Sequence, residues 1–207
     1  LAEYFLEYKI ERHRESEFIR SMVEDIKEDT AKIRSCIKIN EAQLLGMDTL
    51  LMALYTNTGN PDSTEYLYYY YAKYTLSLEN VYFADRTLLQ LKNSGSMRMI
   101  RNQAVSDSIL NYDMKARNCN DQYDYTKLSW RDYLLLSYDL FNYRYFQPKA
   151  FSGKPAGKQQ LLSTDKKDIY KFCNRLFMLR GLIESYNFQL GEQLKIAERL
   201  KIGRAHV

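Results

Sequence analysis

Two long segments, one toward each end of the chain, set apolar residues at steps of three, four and seven. In the first these are Met22, Ile26, Ile33, Ile37, Leu44, Met47, Leu51 and Leu54. In the second they are Ile169, Phe172, Leu176, Leu179, Ile183, Tyr186, Leu190, Leu194 and Ala197. A repeat near 3.5 residues gathers such positions into one stripe on an α-helix, whereas a strand sends alternate side chains to opposite faces. The spacing predicts helices over residues 4–55 and 165–201. A stripe of this kind needs a surface to cover it, and the simplest cover is the other stripe. The expected fold is therefore all-α: an elongated helical bundle with long antiparallel N- and C-terminal helices, and shorter middle helices capping one end.

The rest of the sequence agrees with a helical reading. Among 207 residues there are only 8 Gly and 3 Pro, so the chain has few places to turn, which favours long helices over a many-stranded sheet. Residues 1–34 hold nine acidic and seven basic side chains, and residues 149–201 hold five and eleven. The two ends would attract one another side by side, through modest and salt-screened terms. A formal net charge of +4 is too small to argue for nucleic acid, and no nucleic-acid partner is expected.

Between the long helices, residues 56–63 (TNTGNPDS) form the clearest break, with Ser63 or Thr64 as the candidate cap of the next helix. The tyrosine-rich run at 66–74 reads as helix, with a strand as the rival because Tyr favours strands. Residues 83–91 read as another helical stretch, stopped at Asn93-Ser94-Gly95-Ser96, where Gly95 suits a left-handed C-cap. Helices are expected over 97–116 and 125–146, joined by a polar connection at 117–124. Residues 148–164 are the most loop-like segment, and Ser163 or Thr164 is expected to cap the last helix.

No catalytic, cofactor-binding or metal-binding residue is assigned, and the chain is not expected to be an enzyme. The only histidines are His13, amid charges on a solvated helix, and His206, so His-based metal sites and triads have no material. The pairs Glu24–Glu28 and Asp25–Asp29 alternate with Lys27, Lys32 and Arg34, the pattern of a solvated face, and lack the Glu-x-x-His of metal-binding bundles. Residues 153–159 (GKPAGKQ) imitate a phosphate loop, but the spacing is wrong and no Ser or Thr follows the lysine. Residues 118–122 (NCNDQ) resemble a calcium loop only in polarity. Four consecutive tyrosines point around most of a helix, so they cannot line one pocket. Cys36, Cys119 and Cys173 are an odd number without paired spacing; each reads as a small apolar residue, with a Cys36–Cys173 bridge as the alternative. The longest apolar-rich run, 44–55, is too short to span a bilayer and contains Asp48.

Two stretches carry a resemblance. Residues 1–9 (LAEYFLEYK), followed by ERHRESEFIRSMVEDIKEDTAKI from Glu11, and Leu91-Lys92-Asn93-Ser94-Gly95-Ser96-Met97-Arg98-Met99-Ile100 continuing to Tyr112, resemble a family of uncharacterised small bacterial membrane proteins. These have one N-terminal transmembrane helix followed by a charged helical soluble domain of unknown function. The family's usual Trp-Asn pair after the span is absent. The resemblance implies a juxtamembrane charged helix or stalk over 1–20, a helical bundle domain over 21–201, and attachment to the membrane through a helix ahead of Leu1. It also implies an inner-membrane protein of a Gram-negative bacterium whose soluble part faces the periplasm and binds, senses or scaffolds.

A protein partner or homo-oligomer is compatible with the same stripes. The alternatives are a cytosolic coiled-coil adaptor and, last, an enzyme of unknown type. Residues 202–207 (IGRAHV) are what ATC-GGA-AGA-GCA-CAC-GTC encodes, a stretch of a widely used sequencing adaptor, and are expected not to be native; other codons there would refute this.

Overall fold

The computed structural model describes residues 2–56, 64–146 and 160–202. They form five α-helices: α1 (Ala2–Thr56), α2 (Thr64–Thr75), α3 (Arg86–Asn93), α4 (Gln103–Leu140) and α5 (Lys166–Ile202). Single 3₁₀ turns lie at Ser96–Met99 and Tyr143–Phe146, and no described residue is in a strand. The all-α fold with long first and last helices is as the two stripes require.

The chain divides into two compact units. One comprises Leu1–Ile37, Asn80–Asp121 and Phe188–Val207; the other comprises Lys38–Glu79 and Gln122–Asn187. In the second unit α1 and α5 run antiparallel. Asn40 meets Asn187, Asp48 meets Arg180, and the Tyr55 ring lies 5.6 Å from that of Tyr170. The core of this unit joins Met47, Leu50 and Leu54 of α1 to Leu67 and Tyr71 of α2, Tyr133 and Leu140 of α4, and Phe172, Leu176 and Leu179 of α5. The core of the first unit joins Met22 and Ile26 of α1 to Leu88 and Leu91 of α3, Ile109 and Tyr112 of α4, and Ala197 of α5.

Each long helix buries a row at alternating steps of three and four. On α1 the row is Met22, Ile26, Asp29, Ile33, Cys36, Asn40, Gln43, Met47, Leu50 and Leu54, and on α5 it runs from Ile169 through Tyr186 and Leu190 to Gln193 and Ala197. The expected period holds, but several expected members do not. Ile37, Leu44 and Leu194 are half-buried, and Cys36, Asn40, Gln43 and Gln193 sit deeper. Their amide groups find acceptors inside: Asn40 donates to Asn187 (2.8 Å), Gln43 to Ser77 and Gln193 to the Tyr112 carbonyl (3.1 Å), while the Oε1 atoms of Gln43 and Gln193 are buried without a hydrogen-bond partner among the described residues.

The largest departure is α4. The polar connection expected at 117–124 is helix, and two expected helices are one of 38 residues. The sequence from Gln103 to Leu140 holds neither Gly nor Pro. Its inward row continues through Ile109, Tyr112, Ala116, Cys119, Tyr123, Thr126, Trp130, Tyr133, Ser137 and Leu140. Small and hydroxylic residues fill the middle of that row, so an apolar count does not register it.

The helix ends also differ from expectation. The stretch 83–91 becomes helical only at Arg86. Asn102 caps α4, its Oδ1 accepting from the Ala104 (3.0 Å) and Val105 amides. The α5 cap is Asp165, which accepts from the Lys167 amide (2.8 Å), while Ser163 Oγ accepts from the Asp165 amide and donates to Asp168. Gly95 is left-handed (φ 66°) at the end of α3, as expected. Residues 57–63, with Ser63, fall outside the described residues.

Helix α2 settles the tyrosine run against the strand reading. Its buried positions, Leu67, Tyr68, Tyr71 and Thr75, follow a helical period, while Tyr66 and Tyr69 are exposed. The Tyr74 ring lies flat against Gly46 of α1, so that a Cβ there would overlap the ring's Cγ and both Cδ atoms. Gly181 and Gly191 of α5 have open space at the same position. Gly46→Ala should lower stability by about 1–3 kcal/mol through overpacking, despite the intrinsic helix preference of Ala. Gly181→Ala and Gly191→Ala should each raise it by up to about 1 kcal/mol. Urea unfolding followed by far-UV circular dichroism reads all three.

Candidate functional site

The first unit buries two carboxylates on successive turns of α1. Asp25 and Asp29 are 4% and 0% exposed, which overturns the solvated-face reading for them; Glu24 and Glu28 keep it. Both aspartates hold the stretch leading into α3. Asp29 Oδ1 accepts from the Ala84 amide (2.7 Å), and its Oδ2 accepts from the Tyr112 hydroxyl of α4 (2.7 Å). Asp25 Oδ2 accepts from the Thr87 amide (3.2 Å), and its Oδ1 pairs with Arg86 (2.9 Å), which also reaches Glu28.

Helix α3 starts after Asp85, whose own side chain makes no capping bond. One of its first-turn amides, that of Thr87, meets the carboxylate of Asp25 on α1 instead, where the helix dipole also favours an anion. Lys32 adds a fourth tie by donating to the Tyr82 carbonyl (2.8 Å). Burial pushes the Asp29 carboxyl above its ordinary range, against the pull of the Ala84 and Tyr112 hydrogen bonds. Burial and the neighbouring Asp29 charge push the Tyr112 phenol up as well. This is a clamp: each carboxylate oxygen is already engaged by a donor of the chain.

The second unit holds a different polar cluster. Tyr71 of α2 lies between Ser137 of α4 (2.7 Å) and Tyr143, and Ser137 Oγ lies 2.8 Å from the Tyr143 hydroxyl. Its ring stacks on Phe141 with centroids 4.1 Å apart. The Tyr68 hydroxyl accepts from the Asn142 amide and donates to the Gln160 carbonyl, so one phenol joins the end of α4 to the segment before α5. Trp130 donates to the Thr75 carbonyl at the end of α2 (2.8 Å). Burial pushes the Tyr71 and Tyr133 phenols well above their ordinary value. The tyrosines serve packing and helix ends rather than one pocket.

A third feature is an open groove of about 540 Å³ in the first unit, between α1 and the Gly95 turn. Arg14, Arg20 and Ser21 line one side, Gln90 and Ser96 the other. Ser94 Oγ, also at the rim, lies 2.6 Å from both the Gln90 carbonyl and Ser96 Oγ.

Of the other sequence candidates, His13 is exposed beside Glu17 (3.4 Å). Residues 118–122 lie inside α4 and form no loop, and residues 153–159 lie outside the described residues. Cys173 is a free thiol, so the alternative Cys36–Cys173 bridge is not made, and burial pushes the Cys119 and Cys173 thiols up to about 12. Among the described residues, no three His, Cys, Asp or Glu side chains group closely enough to hold a metal ion, and no helix is long and apolar enough to cross a membrane. Comparison of the chain with protein families, curated proteins and solved structures finds no match.

The clamp has a pH signature. Because the folded-state pKa of Asp29 lies above its unfolded value, the folded protein takes up this proton first as pH falls. The Asp29 contribution is therefore complete below the unfolded aspartate pKa and is lost as pH rises through the folded one. Asp29→Asn keeps an acceptor for Ala84 and cannot titrate. The stability of the wild type relative to Asp29→Asn should rise as pH is lowered from neutral, read from urea midpoints across a pH series.

Proposed function

We propose that this chain is the extramembrane helical domain of a protein anchored by a single N-terminal membrane span, and that it binds or scaffolds rather than catalyses. The observation that carries the reading is the start of α1. Tyr4, Phe5, Leu6, Tyr8 and Ile10 are all exposed, Tyr4 to 75%, and at 100° per residue they spread over about 240° of the helix, with Glu3 and Glu7 in the remaining sector. Tyrosine rings collect at a membrane–water boundary, where one end is apolar and the other wet. Charged residues take over directly: Lys9 lies over the Phe5 ring and Arg12 over the Tyr8 ring. Arg101, before α4, stacks on Tyr8 (4.6 Å) and donates to Glu11, so the helix is held to its unit at the C-terminal edge of the collar.

The family resemblance of residues 1–33 supports the same reading, and placement of the domain in the periplasm rests on that resemblance. The rival, a cytosolic adaptor pairing α1 with another chain as a coiled coil, needs one narrow apolar stripe, whereas the exposed apolar residues of the collar spread over about two thirds of the helix circumference.

The test is the whole reading frame expressed with the codons that precede Leu1. The protein should stay with the membrane pellet after alkaline extraction, and an alkaline phosphatase fusion after Lys201 should be active. Release into the soluble fraction, or a polar sequence ahead of Leu1, would overturn the anchoring.

A further inference from the structure

The part of α4 in the second unit carries a second row of large side chains, on the side away from its buried one. Tyr125, Leu128, Leu135 and Tyr138 are each 50–58% exposed. Between them lie Arg131 and Asp132, both exposed and neither in an ion pair among the described residues. The six positions fall within about 140° of the helix circumference. Their order is a palindrome. Read from either end it gives Tyr, Leu, charge, charge, Leu, Tyr, with the same gaps.

We propose that this face is a two-fold interface with a second copy of the chain, α4 packing antiparallel on α4. A two-fold axis between residues 131 and 132 sets Tyr125 opposite Tyr138 of the second copy and Leu128 opposite its Leu135. Arg131 then faces Asp132 of the second copy, and the symmetry repeats every contact. The occupant is identified by that complementarity: the strip presents in mirrored order both the apolar groups and the opposite charges it needs. A different protein would have no reason to require the mirrored order.

The same axis brings Asp124 opposite Asp139 at both ends of the strip, where like charges oppose association. At the two ends of the strip such exposed pairs contribute little; the apolar strip drives pairing, and the central charges, where a single reversal would bring two like-charge pairs together, set its register. Four half-exposed side chains cover less than the roughly 800 Å² per partner of a standard interface. Association is accordingly weak, with half-dimerisation at about ten to several hundred micromolar. Anchoring in a membrane would raise the effective concentration, but the proposal does not depend on it.

Sedimentation equilibrium of the 207-residue chain over a concentration series tests this. The weight-average mass should climb from 24.6 kDa toward twice that value. Arg131→Asp and Asp132→Arg should each weaken the dimer by about tenfold or more, because each sets two like-charge pairs at the centre. The double reversal R131D/D132R restores both pairs and should recover the wild-type constant within about threefold. Far-UV circular dichroism confirms that each variant keeps its helices. Leu128→Lys with Leu135→Lys gives an independent route and should abolish the dimer. A chain that stays monomeric throughout, a dimer insensitive to these changes, or a double reversal no tighter than the single ones would overturn the proposal.

Discussion

A polar group taken out of water must find its partner inside the protein, and the buried rows of α1, α4 and α5 impose that demand repeatedly. A helix that buries one position in every three or four has no freedom to skip a turn. Where the sequence places Asp29, Asn40, Gln43 or Gln193 in the row, the fold brings at least one donor or acceptor to it, although the Oε1 atoms of Gln43 and Gln193 are left without one among the described residues. Asp29 is the sharpest case. Its two oxygens take the Ala84 amide and the Tyr112 hydroxyl, which fixes the path of the chain into α3 and the approach of α4 together. Losing either donor would leave a carboxylate buried with half its hydrogen bonding, a cost of about 1–3 kcal/mol or more for a charged group.

The two units meet the demand by different chemistry. In the first, carboxylates on α1 accept from backbone amides, and a helix too short to stand alone is capped by the Asp25 side chain of another helix. In the second, tyrosine hydroxyls reach backbone groups at helix ends, and Ser137 fits beneath Tyr71 and Tyr143 because a small residue leaves room there. Both solutions use polar groups to specify which helices meet and in what register.

How much of this is legible in the sequence depends on the same demand. The period of the first and last helices is plain from their apolar residues, and Gly95 announces its turn because a left-handed residue favours glycine. The phase is harder. Choosing Ile37 and Leu44 over Cys36, Asn40 and Gln43 treats polarity as exposure, and that fails where partners exist inside. The unbroken α4 escapes for a related reason: Ala116, Cys119 and Thr126 bury well but weigh little on an apolar scale. Asp25 and Asp29 look solvated because lysines and arginines surround them in sequence. Their partners, Ala84 and Thr87, lie more than fifty residues away, and nothing local points there. The palindrome on α4 is legible in one dimension, yet it gains meaning only once residues 125–138 are known to be one helix with that face outward.

The claim beneath all of this is that α4 runs unbroken through its polar middle, held by the small and hydroxylic side chains of its inward row. Amide hydrogen exchange across residues 109–133 tests it most directly. The account predicts that the amides of 117–124 are protected to a degree comparable with those on either side. Exchange in that stretch at the rate of an unstructured peptide, flanked by two protected segments, would mean two helices and a linker, and would contradict it.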